Sequence, residues 1–267
     1  MRFSVIVVCL NPGEKLNQTL DSVLNQTCED YEIVVKDGGS SDGSVDSMRS
    51  DPRITFYREK DSGIYEAMNQ AVSHAKGDFL LFLNCGDLFP DKRVLERTCS
   101  YIEGEAGQGT DLSKLVLYGD TLGEKNGVVI ASPPRINGFA CYRNIPCHQT
   151  CFYSRRLCLN KPYDPDLRIR ADYDHFLWCY YRAKAKFVHM DFAAASYEGG
   201  GYSESKENRK RDRQEHRQVT ASYMSGRELF RYKLIMACTL APLRRTMAES
   251  KAFSKVYHSL KKFMYTR

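Results

Sequence analysis

The chain has 267 residues, 42% of them hydrophobic and 27% charged, which suits a folded protein with a sizeable core and excludes disordered, collagen-like and disulfide-dense classes. The formal net charge of +6 is unevenly placed: residues 206–267 carry 16 basic and 5 acidic side chains, a net of +11, which leaves residues 1–205 at −5. A mildly acidic body carries a strongly basic tail, and the two parts are expected to meet different partners.

The opening MRFSVIVVCLN reads as a strand, Phe3–Val8, without an apolar signal region or cleavage site. The expectation is a reducing compartment where the ten cysteines stay free. Asn11-Pro12-Gly13 breaks the strand, and Glu14–Asn25 sets Leu16, Leu20, Val23 and Leu24 on one helical face. Ile33–Val35 predicts a second strand, ended by the Asp37–Gly43 loop (DGGSSDG), and Ile54–Tyr57 a third. Ile64–Ala75 has helical spacing, and the apolar strand Phe79–Leu83 runs into Asn84-Cys85-Gly86-Asp87. Strands alternating with helices predict an α/β fold around a parallel sheet.

Beyond it, Leu115–Tyr118, Val128–Ala131, Cys151–Tyr153 and Phe187–Met190 read as strands of a mixed sheet, Ser132–Ile145 as loop and Tyr173–Arg182 as helix. Glu198-Gly199-Gly200-Gly201 closes the body, which gives a division into residues 1–205 and a basic helical extension, 206–267. Residues 206–222 predict a charged helix, and Phe253, Val256, Tyr257, Leu260, Phe263 and Met264 form an apolar face flanked by lysines. The longest apolar run, Leu234–Leu243, falls well short of the ~20 residues of a membrane span.

Three strand-end loops concentrate carboxylates. In an open parallel sheet, ligands bind beyond the carboxyl ends of the strands, which places Asp37 for ligand binding, with a plain Asp/Gly/Ser turn as the alternative. Asp87 is either a ligand for a hard divalent cation or the cap of a helix over Lys92–Tyr101. Asp172 and Asp174, around Tyr173 just before a helix, supply either a general base or an N-cap. His148 and His189 are further candidates, with no partner visible in the sequence. Cys147, His148 and Cys151 form a lone cluster without the second pair a structural zinc site needs. No phosphate loop of the G-x-x-x-x-G-K-[ST] type and no G-x-G-x-x-G follows the first strand.

Four segments in order, SVIVVCLNPGEKLNQTLDSVLNQT (4–27), VVKDGGSSDGS (34–44), EKDSGIYEAMNQAVSHAKGDFLLFLNCGD (59–87) and IPCHQTCFYSRR…RIRADYDHFLW (145–178), resemble the family 2 glycosyltransferases, in particular those that build bacterial surface polysaccharides. The resemblance covers residues 3–205. It implies a GT-A fold, a Rossmann-like, mainly parallel mixed sheet flanked by helices, here with a basic helical C-terminal extension. It further implies that Asp37 binds the uracil ring, with Val8, Cys9 and Asn11 lining the base pocket. Asp61 and Asn69 match polar positions around the nucleotide-sugar, Asp87 the carboxylate that holds Mn²⁺ or Mg²⁺, and Asp172 the catalytic base. The family's D-x-D-D is here Asn84-Cys85-Gly86-Asp87, and its Glu-Asp pair is Ala171-Asp172, which keeps Asp174 as a rival base. His148 is a candidate for positioning the acceptor.

The implied activity is inverting, metal-dependent transfer from a UDP-sugar to a saccharide or lipid-linked saccharide. The expected location is cytoplasmic and peripheral, with the tail on the anionic inner membrane surface or packed on the body. Nucleic acid is not an expected partner, since the basic stretch has no reader motif. A sugar-1-phosphate nucleotidyltransferase and a non-catalytic membrane scaffold are the alternatives. The first calls for a basic Gly-rich loop after the first strand, where this chain has Asn11-Pro12-Gly13-Glu14; the second needs none of Asp37, Asp87 or Asp172.

Overall fold

A computed structural model describes residues 1–123, 127–143, 145–197 and 208–238. The chain runs β1 (Phe3–Cys9), α1 (Lys15–Leu24), β2 (Tyr31–Asp37), β3 (Ile54–Arg58), α2 (Ile64–His74), β4 (Phe79–Phe82) and α3 (Val94–Gly107). It continues through β5 (Leu115–Gly123), β6 (Val128–Ile130), α4 (Gly138–Arg143), β7 (Cys151–Ser154), α5 (Arg155–Asn160), α6 (Ala171–Tyr181), β8 (Lys186–Tyr197), α7 (Arg209–Tyr223) and α8 (Gly226–Cys238).

One sheet of order β3-β2-β1-β4-β7-β5-β6 organises these elements, with β8 also paired to β5. β3, β2, β1 and β4 are parallel, β7 runs against both β4 and β5, and β8 lies parallel to β5. The register Cys9↔Asp37 carries the ends of β1 and β2 to the same edge. Every residue of β1, β2 and β4 is buried, as helices on both faces require.

Alternation along the strands separates two cores. Val5, Val7, Ile33, Val35 and Leu81 pack against Leu16, Leu20 and Val23 of α1 and Val94, Leu95 and Ile102 of α3. On the other face Ile6, Val34, Leu80 and Phe82 meet Met68, Ala71 and Val72 of α2 and Phe176 and Leu177 of α6. Val219 of α7, Met224 at its end and Tyr232 of α8 join this second core, so the described part of the extension packs on the body.

The mixed, mainly parallel sheet flanked by helices is the expected fold class. Several boundaries differ from expectation. Residues 138–143 form α4 where a loop was expected, because Tyr173 anchors the Cys141 carbonyl (2.7 Å) and buries that turn. The expected Lys92–Tyr101 helix is α3, Val94–Gly107, and α6 begins at Ala171, so Asp172 is inside the helix rather than before it. The Gly199–Gly201 stretch and the apolar face at 253–264 lie outside the described residues. Among the described residues, no helix is long and apolar enough to cross a membrane.

Candidate active site

A cavity of about 810 Å³ opens at the carboxyl ends of β1 and β4. Val8, Cys9 and Asn11 line it from β1 and the loop after it, Asp61 and Tyr65 from the start of α2, Asn84 and Cys85 from the loop after β4, and Arg168 from the segment before α6. Asn11 stitches the first two loops together: its N–H donates to Ser40 Oγ (2.8 Å) and its Oδ1 accepts the Ser41 N–H (2.9 Å). It adopts a left-handed conformation (φ 49°), which asparagine tolerates better than most side chains.

Asp37 stands behind this wall, fully buried. Its Oδ1 accepts the Ser40 hydroxyl (2.6 Å) and N–H (3.0 Å), and its Oδ2 accepts Arg58 Nε (2.8 Å). Burial pushes the carboxyl up, but the Ser40 hydrogen bonds and the Arg58 guanidinium hold it below the ordinary carboxylate range. Asp61 faces the cavity and is paired with Lys36, a fully buried ammonium in β2. Its Oδ1 accepts the Gly63 N–H (3.1 Å). A Cβ at position 38 would come within 2.8 Å of Asp61 Oδ2, so a larger residue there would displace the Asp61 carboxylate. Asn69 is turned away from the cavity: its amide clamps the Tyr163 backbone, donating to the carbonyl (2.8 Å) and accepting the N–H (2.9 Å).

The loop after β4 is folded tightly around Gly86 (φ 97°). Thr19 of α1 fixes it, accepting the Gly86 N–H (2.9 Å) and donating to the Asp87 carbonyl (3.1 Å). Asp87 is buried, and its Oδ2 accepts Gln149 Nε2 (2.8 Å). It does not cap α3, whose N-cap position is Arg93. Beside it the Asn84 Nδ2 lies 3.2 Å from His148 Nε2, while Asn84 Oδ1 is buried with no hydrogen-bond partner. Among the described residues no three His, Cys, Asp or Glu side chains gather as a metal centre. One carboxylate with an unsatisfied amide oxygen three residues away does fit a hard cation whose other ligands are phosphate and water.

Asp172 is in the first turn of α6, with 21% of its side-chain surface open. Its Oδ1 lies 3.0 Å from the Tyr65 hydroxyl, which also reaches the Ile169 carbonyl (2.7 Å), and its Oδ2 lies 3.6 Å from His148 Nδ1. Burial pushes this carboxyl up, but nearby His148, the Tyr173 backbone N–H and Arg170 outweigh it and keep it low. Asp174, two residues on, projects from another side of the helix. It is tied to Lys161 Nζ (2.9 Å) and accepts the Tyr223 hydroxyl (2.9 Å). His189, without a visible partner in the sequence, bonds Asp120 Oδ1 through Nε2 (2.9 Å).

The structure thus brings Val8, Cys9, Asn11 and Asp61 to one cavity wall, and joins His148 to Asp172 and Asn84. Asp37, Asp87 and Asp172 stand one layer behind, against Ser40, Gln149 and Tyr65; Asn69 and Asp174 bond elsewhere. Lys36, Tyr65, Gln149 and Arg168 belong to the site without having been singled out in the sequence. Lys36 had a signal, as a lysine directly following the apolar run of a buried strand (IVVK).

A sheet of this order with a cleft at the ends of its parallel strands is the GT-A glycosyltransferase architecture. The chain belongs to glycosyl transferase family 2, whose pattern it matches over residues 4–152. It is 35% identical over 208 residues to the PGL/p-HBAD biosynthesis glycosyltransferases of Mycobacterium bovis and Mycobacterium tuberculosis, covering 75% of this chain and 78% of theirs. Its fold is similar to that of Staphylococcus aureus TarS 1-349 in complex with UDP (TM-score 0.64, 22% identity, 84% of this chain and 65% of that one). It is also similar to the mannosyltransferase PcManGT of Pyrobaculum calidifontis in complex with GDP-Man and Mn²⁺ (TM-score 0.64, 15% identity, 98% and 87%). Of the three functions weighed on the sequence, these likenesses support the glycosyltransferase.

Proposed function

We propose that the chain transfers a sugar from a UDP-sugar to a saccharide hydroxyl with inversion, Asp172 acting as general base. The observation that carries this reading is the Asp172 carboxylate itself: kept ionised, partly open, and held by Tyr65, which also lines the cavity, and by His148. The acceptor hydroxyl gives its proton to Asp172 as its oxygen attacks the anomeric carbon, and the bond from that carbon to the diphosphate oxygen breaks on the opposite face. Asp37 with its Ser40 and Arg58 partners shapes the base end of the donor site, Asp61 and Asn69 its sugar end, directly or through the backbone they fix. Asp87 and Asn84 Oδ1 would hold a Mn²⁺ or Mg²⁺ ion, which when bound supplies charge neutralisation for the leaving diphosphate. His148 orients the base and borders the acceptor side.

The acceptor is a lipid-linked saccharide, and residues 242–267 lie on an anionic membrane surface. The basic excess of the tail supports this reading. A panel of UDP-sugars screened by thermal shift with Mn²⁺ identifies the donor; a panel in which UDP and every UDP-sugar leave the melting temperature unchanged refutes the nucleotide assignment. Liposome pelleting of the chain with and without residues 242–267 tests the membrane role, and equal binding by both forms removes it.

A further inference from the structure

Helix α6 carries Asp172 but does not cap itself: Arg170, at its N-cap position, makes no side-chain cap hydrogen bond. The segment that leads into it is held from α7, in the basic extension. Glu215, 4% exposed, accepts the Arg168 N–H on Oε1 (3.1 Å) and the Ile169 and Arg170 N–H groups on Oε2 (2.9 Å each). Arg211, one turn earlier, donates to the same Oε1 (2.8 Å). Asp212 accepts Arg170 Nε (2.7 Å). Three consecutive N–H groups of the segment leading into α6 thus converge on one carboxylate supplied from 45 to 47 residues further along the chain.

We propose that Glu215 and Asp212 are positioning residues for the general base. They fix the turn from which Asp172 projects and from which Arg168 crosses to the Ser62 carbonyl (2.6 Å) on the cavity's other wall. They also offset the positive charge of Arg170 and of the helix start beside the base. The inference rests on Asp172 being that base. The groups that face it are Tyr65 of α2, His148 and Cys147 before β7, Cys151 and Tyr153 of β7, Tyr163 after α5, and Arg170 and His175 at α6. Of these, His148 and Arg170 favour the carboxylate. With Asp212 neutral, Arg170 acts on Asp172 uncompensated; with Glu215 neutral, so do the N–H groups of residues 168–170 just before the helix. Either change makes Asp172 a weaker base, so the acidic limb of the pH profile moves to lower pH.

The test uses the full chain, UDP as binding probe, and turnover of the UDP-sugar that the donor panel selects. Glu215→Gln is expected to lower kcat about ten-fold or more while donor KM and the UDP-induced melting shift stay within about two-fold, the signature of lost orientation rather than lost binding. The acidic limb of kcat/KM moves down in pH. Asp212→Asn gives the same pattern at smaller amplitude, and it carries the test alone if Glu215→Gln does not fold. Unchanged kcat and pH profile, or a rise in KM with kcat intact, overturns the proposal. Failure of the underlying reading is separately visible, because Asp172→Asn then turns over like the wild type.

Discussion

In the parallel half of the sheet, Asp37 and Asp61 are held by partners within residues 36–61. Asp37 is fixed by Ser40, three residues on, and by Arg58; Asp61 is fixed by Lys36, 25 residues away. In the half built from β5, β7, β8 and α6, the base is held by groups from distant segments: Tyr65, 107 residues before it, and His148, itself joined to Asn84 across 64 residues. The segment leading into its helix is held by Glu215 of α7. The first half is a set of local loops on a rigid edge, and its chemistry survives loop by loop. The second exists only when the whole chain has folded, so a change there should strike turnover before it strikes donor binding.

Asp172→Asn gives the largest effect and sharpens this contrast most. A neutral amide accepts no proton, and loss of a general base costs about 10² to 10⁴-fold in kcat, while UDP binding by thermal shift persists. If Asp172→Asn is active and Asp174→Asn is dead, the base has been assigned to the wrong carboxylate. Asp87→Ala is expected to cost about 10²-fold in turnover, in line with several kcal/mol of charge stabilisation at the leaving group. It should also abolish the Mn²⁺-dependent part of the UDP thermal shift. A metal response that survives in Asp87→Ala places the cation elsewhere.

Lys36→Met tests the parallel half through stability. It leaves Asp61, 12% exposed, without the ammonium that compensates it. Breaking a buried pair from one side costs about 3–5 kcal/mol, and the residual exposure of Asp61 puts this case near the lower end. The denaturant midpoint should fall, and Lys36→Met/Asp61→Leu should recover part of the loss. Additive losses in the double variant mean that the two side chains are not coupled. Asp174→Asn is milder: weakening the Lys161 and Tyr223 contacts lowers the melting temperature while kcat stays within a few-fold.

The same contrast explains what was legible in the sequence. The strands and helices of residues 3–83 announce themselves because each period is short and each break carries Gly, Pro or Asn. Val8, Cys9, Asn11 and Asp61 follow from the resemblance to the family, and the parallel topology turns them into one cavity wall. Asp172 and His148 could be named singly, but their meeting could not, since nothing local links a His-Gln pair to an aspartate 24 positions later. Asp172 and Asp87 each also read as helix caps, and only the structure frees them from that duty: the N-cap positions of α3 and α6 are held by Arg93 and Arg170. Glu215 itself sits in a run of charges (KENRKRDRQEHRQ) that reads as a solvated face, because charge patterning carries no information about which single carboxylate is buried.

The smallest expected effect belongs to Arg58, on the surface of the parallel half, and its direction follows from linkage. The Asp37 carboxyl is depressed in the folded state, so its contribution to stability is present above the ordinary aspartate value near 3.9 and is lost as pH falls through the folded value. Arg58 is half exposed, which screens its share, and the Ser40 hydrogen bonds remain when it is removed. Arg58→Ala therefore raises the folded value part of the way back and shrinks the contribution without abolishing it. The variant should melt below the wild type at pH 7, and the gap should narrow as pH falls from about 4 through the depressed folded value, below which both proteins hold Asp37 protonated. Melting curves that run parallel from pH 7 to pH 2 would show that Arg58 acts through packing alone. Asp37 would then be held by its own loop, the limiting case of a half whose chemistry is fixed locally.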